Sequence, residues 1–226
     1  MADTGPEHLL GGEAGASVLI DVQSRPSHVD PMRRAARGFT LIELAVAITL
    51  MGVLIAAGLP SFMAWIGNSK VRTVADALRD GVHRAQTEAV RLNQSVVLSF
   101  TNAEPALNAP AVAGGANWSV QTVAQFDRVA QFVVGGKLSD TASNVTINTN
   151  GQTALCFNSS GRLVDNAAPG VPGAACVTAG ANPKAFDINQ AKADRPLRVL
   201  VALGGQIRMC DPNRPVLSAT SPEGCP

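Results

Sequence analysis

A run of 21 residues, from Phe39 to Leu59, holds a single formal charge, at Glu43. It reads FTLIELAVAITLMGVLIAAGL. At about 1.5 Å per residue, a helix of this length just crosses a hydrocarbon core of roughly 30 Å. The sequence therefore predicts one membrane-spanning helix, and this helix constrains what the rest of the chain can form.

Basic residues precede the predicted span. Arg33, Arg34 and Arg37 lie just before it, with no acidic residue between Arg33 and Gly38. Because positive charge beside a span favours the cytoplasmic side, we expect the N-terminus to stay in the cytoplasm. The residues after Leu59 then lie on the far side of the membrane.

The plausible processing site, Gly38, lies before the apolar run. A secretory signal peptide would instead carry its cleavage site after that run. The stretch RGFTLIEL, residues 37–44, resembles the class III leader of type IV pilins and pseudopilins. The resemblance implies that a prepilin peptidase cuts after Gly38 and that Phe39 becomes the N-methylated first residue.

Glu43 would be the fifth residue of the processed chain. The resemblance implies that it pairs with the terminal amine of a neighbouring subunit during filament assembly. A lone carboxylate in a membrane helix costs about 2.5 to 3.5 kcal/mol, so such residues usually have partners. In the alternative, Glu43 reaches the membrane surface and is stabilised by the helix N-terminus alone.

The predicted leader, residues 1–38, is long, yet residues 32–38 would by themselves form a short basic leader. We hypothesise that translation starts at Met32 and that residues 1–31 are a mis-assigned start, since they show no sustained helical or strand period. Mass spectrometry of the unprocessed protein tests this hypothesis. A peptide from within residues 2–25 would contradict it.

Composition excludes several function classes. Eighteen basic and seventeen acidic residues give a net charge of +1, which does not mark a nucleic-acid binder. The chain offers no nucleophile-base constellation and no phosphate-cradling glycine loop, so we predict neither an enzyme nor a cofactor. No C-x-x-C pair occurs, and His83 is the only histidine after Gly38, so we predict no metal site.

All four cysteines follow the span, in what the topology makes an oxidising compartment, so we expect disulfides. Three pairings are open. We favour Cys156–Cys176 and Cys210–Cys225, because each closes a short local loop. Such a loop stabilises by about 3 kcal/mol in the chain-entropy model.

The helix is predicted to continue beyond the membrane, with one apolar face at spacings of three and four. Pro60 removes a backbone donor, which predicts a kink or local unwinding. Asn93 is suited to end the helix in a left-handed conformation. The apolar stripe comprises Val71, Val74, Ala75, Leu78, Val82, Ala85, Ala89 and Leu92.

Short β-rich runs follow the helix, separated mostly by Gly and Asn. Gly204-Gly205 predicts a hairpin with a two-residue loop, and residues 103–117 and 165–184 read as exposed loops. The fold class is therefore α+β: a long N-terminal helix with a membrane-spanning first half (39–66), and a head (67–226) in which the amphipathic half packs on antiparallel sheet. The predicted strands are 95–101, 118–124, 130–134, 144–148, 153–157, 162–164, 185–188, 197–203 and 206–210.

The order of these features resembles the GspH/FimT family of minor pilins and pseudopilins. The resemblance rests on residues 72–100, the Trp118 strand, FNSSGRL (157–163) and the tail GGQIRMCDPN (204–213). It implies a minor type IV pilin in the inner membrane, with its head in the periplasm until it enters a pilus. Its partners would be the prepilin peptidase and other major and minor pilins or pseudopilins. A type II secretion minor pseudopilin is the alternative, and the terminal cysteine pair favours the pilus.

A second alternative is DNA uptake. In the FimT branch, a C-terminal Gly-Arg-x-Arg pattern resembles a DNA-contacting loop; here Gly205 and Arg208 match, but Gln206 takes the first Arg position. Residues 192–214 hold five basic and two acidic residues, the most basic part of the head. Arg198, Arg208 and Arg214 are therefore candidate DNA contacts, unless they are solvated arginines that protect a sheet edge.

Overall fold

The computed structural model describes residues 38–138, 143–178, 182–214 and 223–225. The chain divides into two compact units, one ending at Ala45 and the other covering Val46–Pro226. Residues 1–37 of the predicted leader, with the Met32 start and the three arginines before Gly38, lie outside the described residues.

A single helix, α1, covers Leu41–Leu92. The predicted stripe is confirmed, because its residues from Val71 to Ala89 are buried and Leu92 is half-buried. The predicted unwinding at Pro60 is wrong, since α1 is helical on both sides of this residue. Asn93 follows the helix with a φ of +48°, the left-handed conformation expected at a helix end.

Eight strands form two antiparallel four-stranded sheets in the described residues. The first sheet has the order β3-β2-β1-β5 and the second β4-β6-β7-β8. The predicted α+β class is confirmed. The strands are β1 Val96–Thr101, β2 Asn117–Thr122, β3 Phe132–Lys137, β4 Val145–Asn148, β5 Ala154–Phe157, β6 Lys184–Gln190, β7 Leu197–Val201 and β8 Ile207–Cys210.

Two local predictions are corrected. The run 162–164 is not a strand; Leu163 makes one isolated bridge with Phe157, at the close of a tight turn in which Gly161 has a φ of +73°. The β7–β8 loop is longer than the predicted two residues: by the strand bounds it covers residues 202–206, and the Ala202 N–H closes it by donating to the Gln206 carbonyl at 2.9 Å. Gly205 takes a φ of +87° in that loop, a conformation that favours glycine.

The main core lies between the amphipathic half of α1 and both sheets. The rings of Phe100 in β1 and Phe186 in β6 stand 5.3 Å apart, so the two sheets meet through this aromatic pair. Both side chains are fully buried. Aromatic pairs at this separation add about 0.5 to 1.5 kcal/mol beyond their area burial.

The indole of Trp118 occupies space that two glycines leave open. A Cβ on Gly81 of α1 would lie 2.8 Å from this ring, and one on Gly136 of β3 would lie 2.5 Å from it. Trp118 is 5% exposed, and its Nε1 donor has no hydrogen-bond partner in the described part of the chain. The two glycines thus set how closely α1 approaches the first sheet.

The segments predicted to be exposed loops are mainly exposed loop in their described residues, and a few of their side chains also cover the outer face of the first sheet. Ala111, Val171 and Ala174 pack there with Val97 and the Cys156–Cys176 disulfide in a second apolar cluster. The two segments are joined by the Ala111 N–H, which donates to the Pro172 carbonyl at 2.8 Å. What the sequence did not show is that a few small apolar residues of these loops are buried, because they are scattered and give no periodic signal.

Candidate functional site

The segment Gly38–Glu43 forms a capping box at the start of α1. Thr40 is the N-cap, and its Oγ1 accepts from the Glu43 N–H at 3.3 Å. In return the Glu43 carboxylate accepts from the Thr40 N–H at 3.4 Å. This reciprocal pair occupies two of the backbone donors that a helix start leaves unpaired.

The capping box gives Glu43 a partner within its own chain. This supports the alternative in which the helix N-terminus stabilises the carboxylate. It also fixes the carboxylate beside Phe39, which the predicted cleavage would make the chain terminus. The Thr-x-x-Glu spacing is a recognised helix-start signature that sequence reasoning missed here.

The apolar half of α1 has no protein covering it. Every residue from Gly38 to Met63 is exposed, and the first buried residue is Gly67. By length and composition, α1 qualifies as a membrane-spanning helix. Large apolar side chains such as Ile42, Leu54 and Phe62 therefore need lipid or other proteins around them.

Two of the three candidate DNA contacts lie on one sheet face. Because Arg198 is paired with Cys210 and Arg208 with Leu200, Arg198 and Arg208 are diagonal neighbours on the face of β7 and β8 away from the core. The Arg198 Nε donates to the Asp187 carboxylate at 2.5 Å. This hydrogen bond raises the pKa of Arg198 further above its ordinary value.

The third candidate, Arg214, also has acidic neighbours. It lies 3.8 Å from Asp211 and 3.5 Å from Glu223. Arg208 is the one candidate of the three without a carboxylate partner among the described residues. Within the described part of the chain, the structure therefore leaves one guanidinium without a carboxylate partner where the sequence suggested a patch of three.

The β7–β8 loop is held against the helix. Gln86 of α1 donates from Nε2 to the Gly161 carbonyl at 3.0 Å. A Cβ on Gly205 would lie 2.1 Å from the same nitrogen and 2.3 Å from the Gly161 oxygen. The loop that carries Gln206 is therefore packed on α1 at Gly205, and a side chain there would displace it.

The structure contains the disulfides Cys156–Cys176 and Cys210–Cys225. The first joins β5 to the covering loop, and the second ties the chain end to β8. Beside Cys225, the Asp211 N–H donates to the Glu223 carbonyl at 2.7 Å. Within the described residues, no group of three His, Cys, Asp or Glu side chains is placed to hold a metal ion.

Comparison with known sequence families gives two matches. The prokaryotic N-terminal methylation motif matches residues 33–59. The family described as type II transport protein GspH matches residues 74–205, more than half of the chain. Curated protein sequences give no significant match.

Solved structures give two kinds of neighbour. The type IV minor pilin FimU of Pseudomonas aeruginosa is 16% identical, with a TM-score of 0.42, over 69% of this chain and 99% of that one. The minor pseudopilin EpsH from the type 2 secretion system of Vibrio cholerae is 13% identical, with a TM-score of 0.41, over 64% and 99%. At these scores the likenesses carry no functional information.

Proposed function

Because this chain belongs to the GspH family and carries the N-terminal methylation motif, we propose that it is a minor pilin, a filament subunit cut after Gly38 and methylated at Phe39. Its apolar helix half anchors it in the inner membrane and then enters the filament, with the head on the periplasmic side. The observation that carries the proposal is that every residue from Gly38 to Met63, which includes the first part of α1, is exposed, with Glu43 held at the helix start. A filament core supplies the cover that this helix lacks.

Processing is tested on the full chain in a host that has the prepilin peptidase. We expect a shortened product whose first residue is N-methylated Phe39, read by mass spectrometry. The G38D variant should stay at precursor length, while G204D, in the head where a Cβ would meet nothing within 4 Å, is the control for a charged substitution at glycine. Cleavage at any other bond would contradict the assignment.

The filament type is a separate question. We infer a type IV pilus from the disulfide-bonded tail, Cys210–Cys225. The type II secretion pseudopilus is the second candidate, because the matching family is described as a type II transport protein. Deleting the gene decides between them: loss of surface pili from the sheared fraction supports the first, and loss of secreted proteins from the medium supports the second.

DNA uptake remains a third proposal, and it rests on Arg208 alone, because Arg198 and Arg214 have carboxylate neighbours. A single phosphate contact gives weak binding with a shallow salt dependence, because the slope scales with the number of phosphates that are neutralised. The test is duplex DNA binding by the full chain in nanodiscs across a salt series. Binding that R208A removes and R162A keeps supports uptake, and absence of binding at low salt rejects it.

A further inference from the structure

A groove of about 580 Å³ lies where the head begins on α1. Its apolar wall consists of Trp65 from α1, Leu197 from β7 and Met209 from β8. Arginines line the rest of it together with a few acidic and polar side chains. Its volume is within the roughly 300 to 1,000 Å³ that is usual for small-molecule sites. We call it the basal groove.

The proposed membrane anchor places the basal groove at the membrane surface. No formal charge occurs between Glu43 and Lys70. At about 1.5 Å per residue, residues 44–63 cross a hydrocarbon core of roughly 30 Å. Trp65 then lies about 3 Å and Asn68 about 7.5 Å beyond that core, within a head-group layer of roughly 5 to 8 Å. The groove is therefore level with the lipid phosphates on the side of the head.

Trp65 has the properties of a side chain at a membrane surface. It is 65% exposed, and its ring stacks on that of Phe62, with the ring centroids 6.0 Å apart. Tryptophan is enriched at membrane–water interfaces, where its ring lies at the level of the head groups. Trp65 thus presents an apolar surface to lipid directly beside the charges of the groove.

Arg195 is fixed against α1 by Asn68. The Asn68 Oδ1 accepts from the backbone N–H groups of Asp194 and Arg195, at 3.2 and 3.0 Å. The Asn68 Nδ2 donates to the Asp194 carboxylate at 2.5 Å. The Arg195 side chain is exposed and has no carboxylate partner in the described part of the chain. Its backbone is therefore held in place while its guanidinium stays available.

Two of the three groove arginines are available to an anion. Arg214 lies 3.8 Å from Asp211 and 3.5 Å from Glu223, which are the two groove acids. Arg72 lies 3.8 Å from Asp76, in an exposed pair of a kind that contributes little free energy. Side chains on a helix lean towards its N-terminus, so Arg72 leans towards the membrane. Arg72 therefore joins the unpaired arginine as a second cation for an incoming phosphate.

We propose that the basal groove binds the head group of an anionic phospholipid, such as phosphatidylglycerol, from the leaflet on the side of the head. Arg72 and Arg195 contact the phosphate, and Trp65 and Met209 contact the glycerol and the start of the acyl chains. A zwitterionic head group fits less well, because its own cation would meet the two arginines. The inference rests on the proposed function only for the membrane anchor. The bound lipid keeps the head seated on the membrane until the subunit leaves it.

The test measures the quenching of Trp65 by brominated phospholipids around the full chain in nanodiscs. The chain has two tryptophans, and the other, Trp118, is buried in the head, so the lipid-dependent signal comes from Trp65. The W65F variant should lose this signal. Titration of brominated phosphatidylglycerol against brominated phosphatidylcholine gives the relative affinity for the two lipids. Two arginines at about 1 kcal/mol each predict a roughly thirtyfold preference for phosphatidylglycerol.

Arginine variants assign this preference to the groove. R195Q should reduce it to roughly fivefold, and R72Q/R195Q should abolish it. R79Q/R84Q removes two exposed arginines farther along α1 and is the matched control, which should keep the wild-type preference. A preference that persists in R72Q/R195Q, or that R79Q/R84Q removes as well, overturns the proposal.

Further outcomes separate the lipid site from the proposed function. Equal quenching by the two lipids keeps the membrane anchor, rejects the lipid site and leaves the groove to a protein partner. Loss of the preference in excess inorganic phosphate would show a site for free phosphate and also rejects the lipid site. Absence of quenching by either lipid rejects the anchor and the lipid site together. A full preference in a chain that never enters filaments keeps the lipid site and rejects the filament role.

Discussion

The two halves of α1 differ in what surrounds them. From Gly38 to Met63 every residue is exposed, whereas Val71, Leu78 and Ala85 in the second half have no exposed surface. Both halves are rich in apolar residues, but only the second alternates them with charges. The first half therefore needs partners outside the chain, and the second stabilises the head from within.

Loss of the Glu43 carboxylate should give the largest effect. It should impair filament assembly, which depends on the first half of α1, and leave the stability of the head unchanged. We expect E43A to reduce recovery in sheared filaments by more than about tenfold, since a buried charge pair loses its partner, while the head melts at the wild-type temperature. D80A, at an exposed residue of the second half, is the control. Normal recovery of E43A would mean that Glu43 only caps its own helix.

A Leu→Ala substitution in each half of α1 tests which half contributes to the stability of the head. L78A should destabilise the head by about 3 kcal/mol, because Leu78 is fully buried and its loss leaves a cavity. L54A, at a residue that is 73% exposed, should leave the melting temperature of the full chain in nanodiscs unchanged. Equal losses of stability in L78A and L54A would contradict the conclusion that only the second half of α1 stabilises the head.

A Gly→Ala substitution in each half of α1 tests whether the helix is tightly packed against other residues there. G81A should cost about 1 to 3 kcal/mol, since its Cβ would meet the Trp118 ring at 2.8 Å. G58A meets nothing within 4 Å and should be neutral or slightly stabilising. Thermal denaturation of both variants measures the difference. Combining G81A with W118F should recover part of the loss if the clash is its cause.

The smallest effect concerns a charge on the loop that covers the first sheet. The Thr178 N–H donates to Asp165, and this hydrogen bond lowers the pKa of that carboxyl. A lowered pKa in the folded state gives stability above the carboxyl's unfolded pKa, and this stability is lost as the pH falls through the folded pKa. The melting temperature, measured from pH 7 down to pH 2, should therefore fall less with decreasing pH in D165N than in the wild type. An equal fall in the two proteins would show that the exposed bond adds nothing.

Regular elements could be read from the sequence because each is fixed by local periodicity. The α1 stripe and the strands around Val96, Trp118 and Phe186 follow from spacing alone. The covering loops could not be read in this way. Ala111, Val171 and Ala174 are small residues without a period, and they are buried only because the first sheet offers a second apolar face.

The candidate site residues also fall into those that the sequence identifies and those whose partners only the structure shows. Gly38, Phe39 and Glu43 were singled out by a contiguous motif, and the Thr40 cap was visible in the same motif. The pairing of Arg198 with Asp187 was not visible, because it depends on the register of β6 against β7. Sequence shows which charges exist, and strand register decides which of them neutralise one another.

Sequence by itself determined the apolar helix, the methylation motif with its lone carboxylate, the amphipathic stripe and the α+β order of elements. These features depend on residues that are neighbours in the chain or along one helix face. Only the tertiary structure decided that, among the described residues, Arg208 is the one candidate arginine without a carboxylate partner, that Trp118 fills the gap between Gly81 and Gly136, and that Phe126 extends into solvent. Those outcomes depend on residues far apart in sequence, whose meeting is set by sheet register and packing, and no local pattern encodes it.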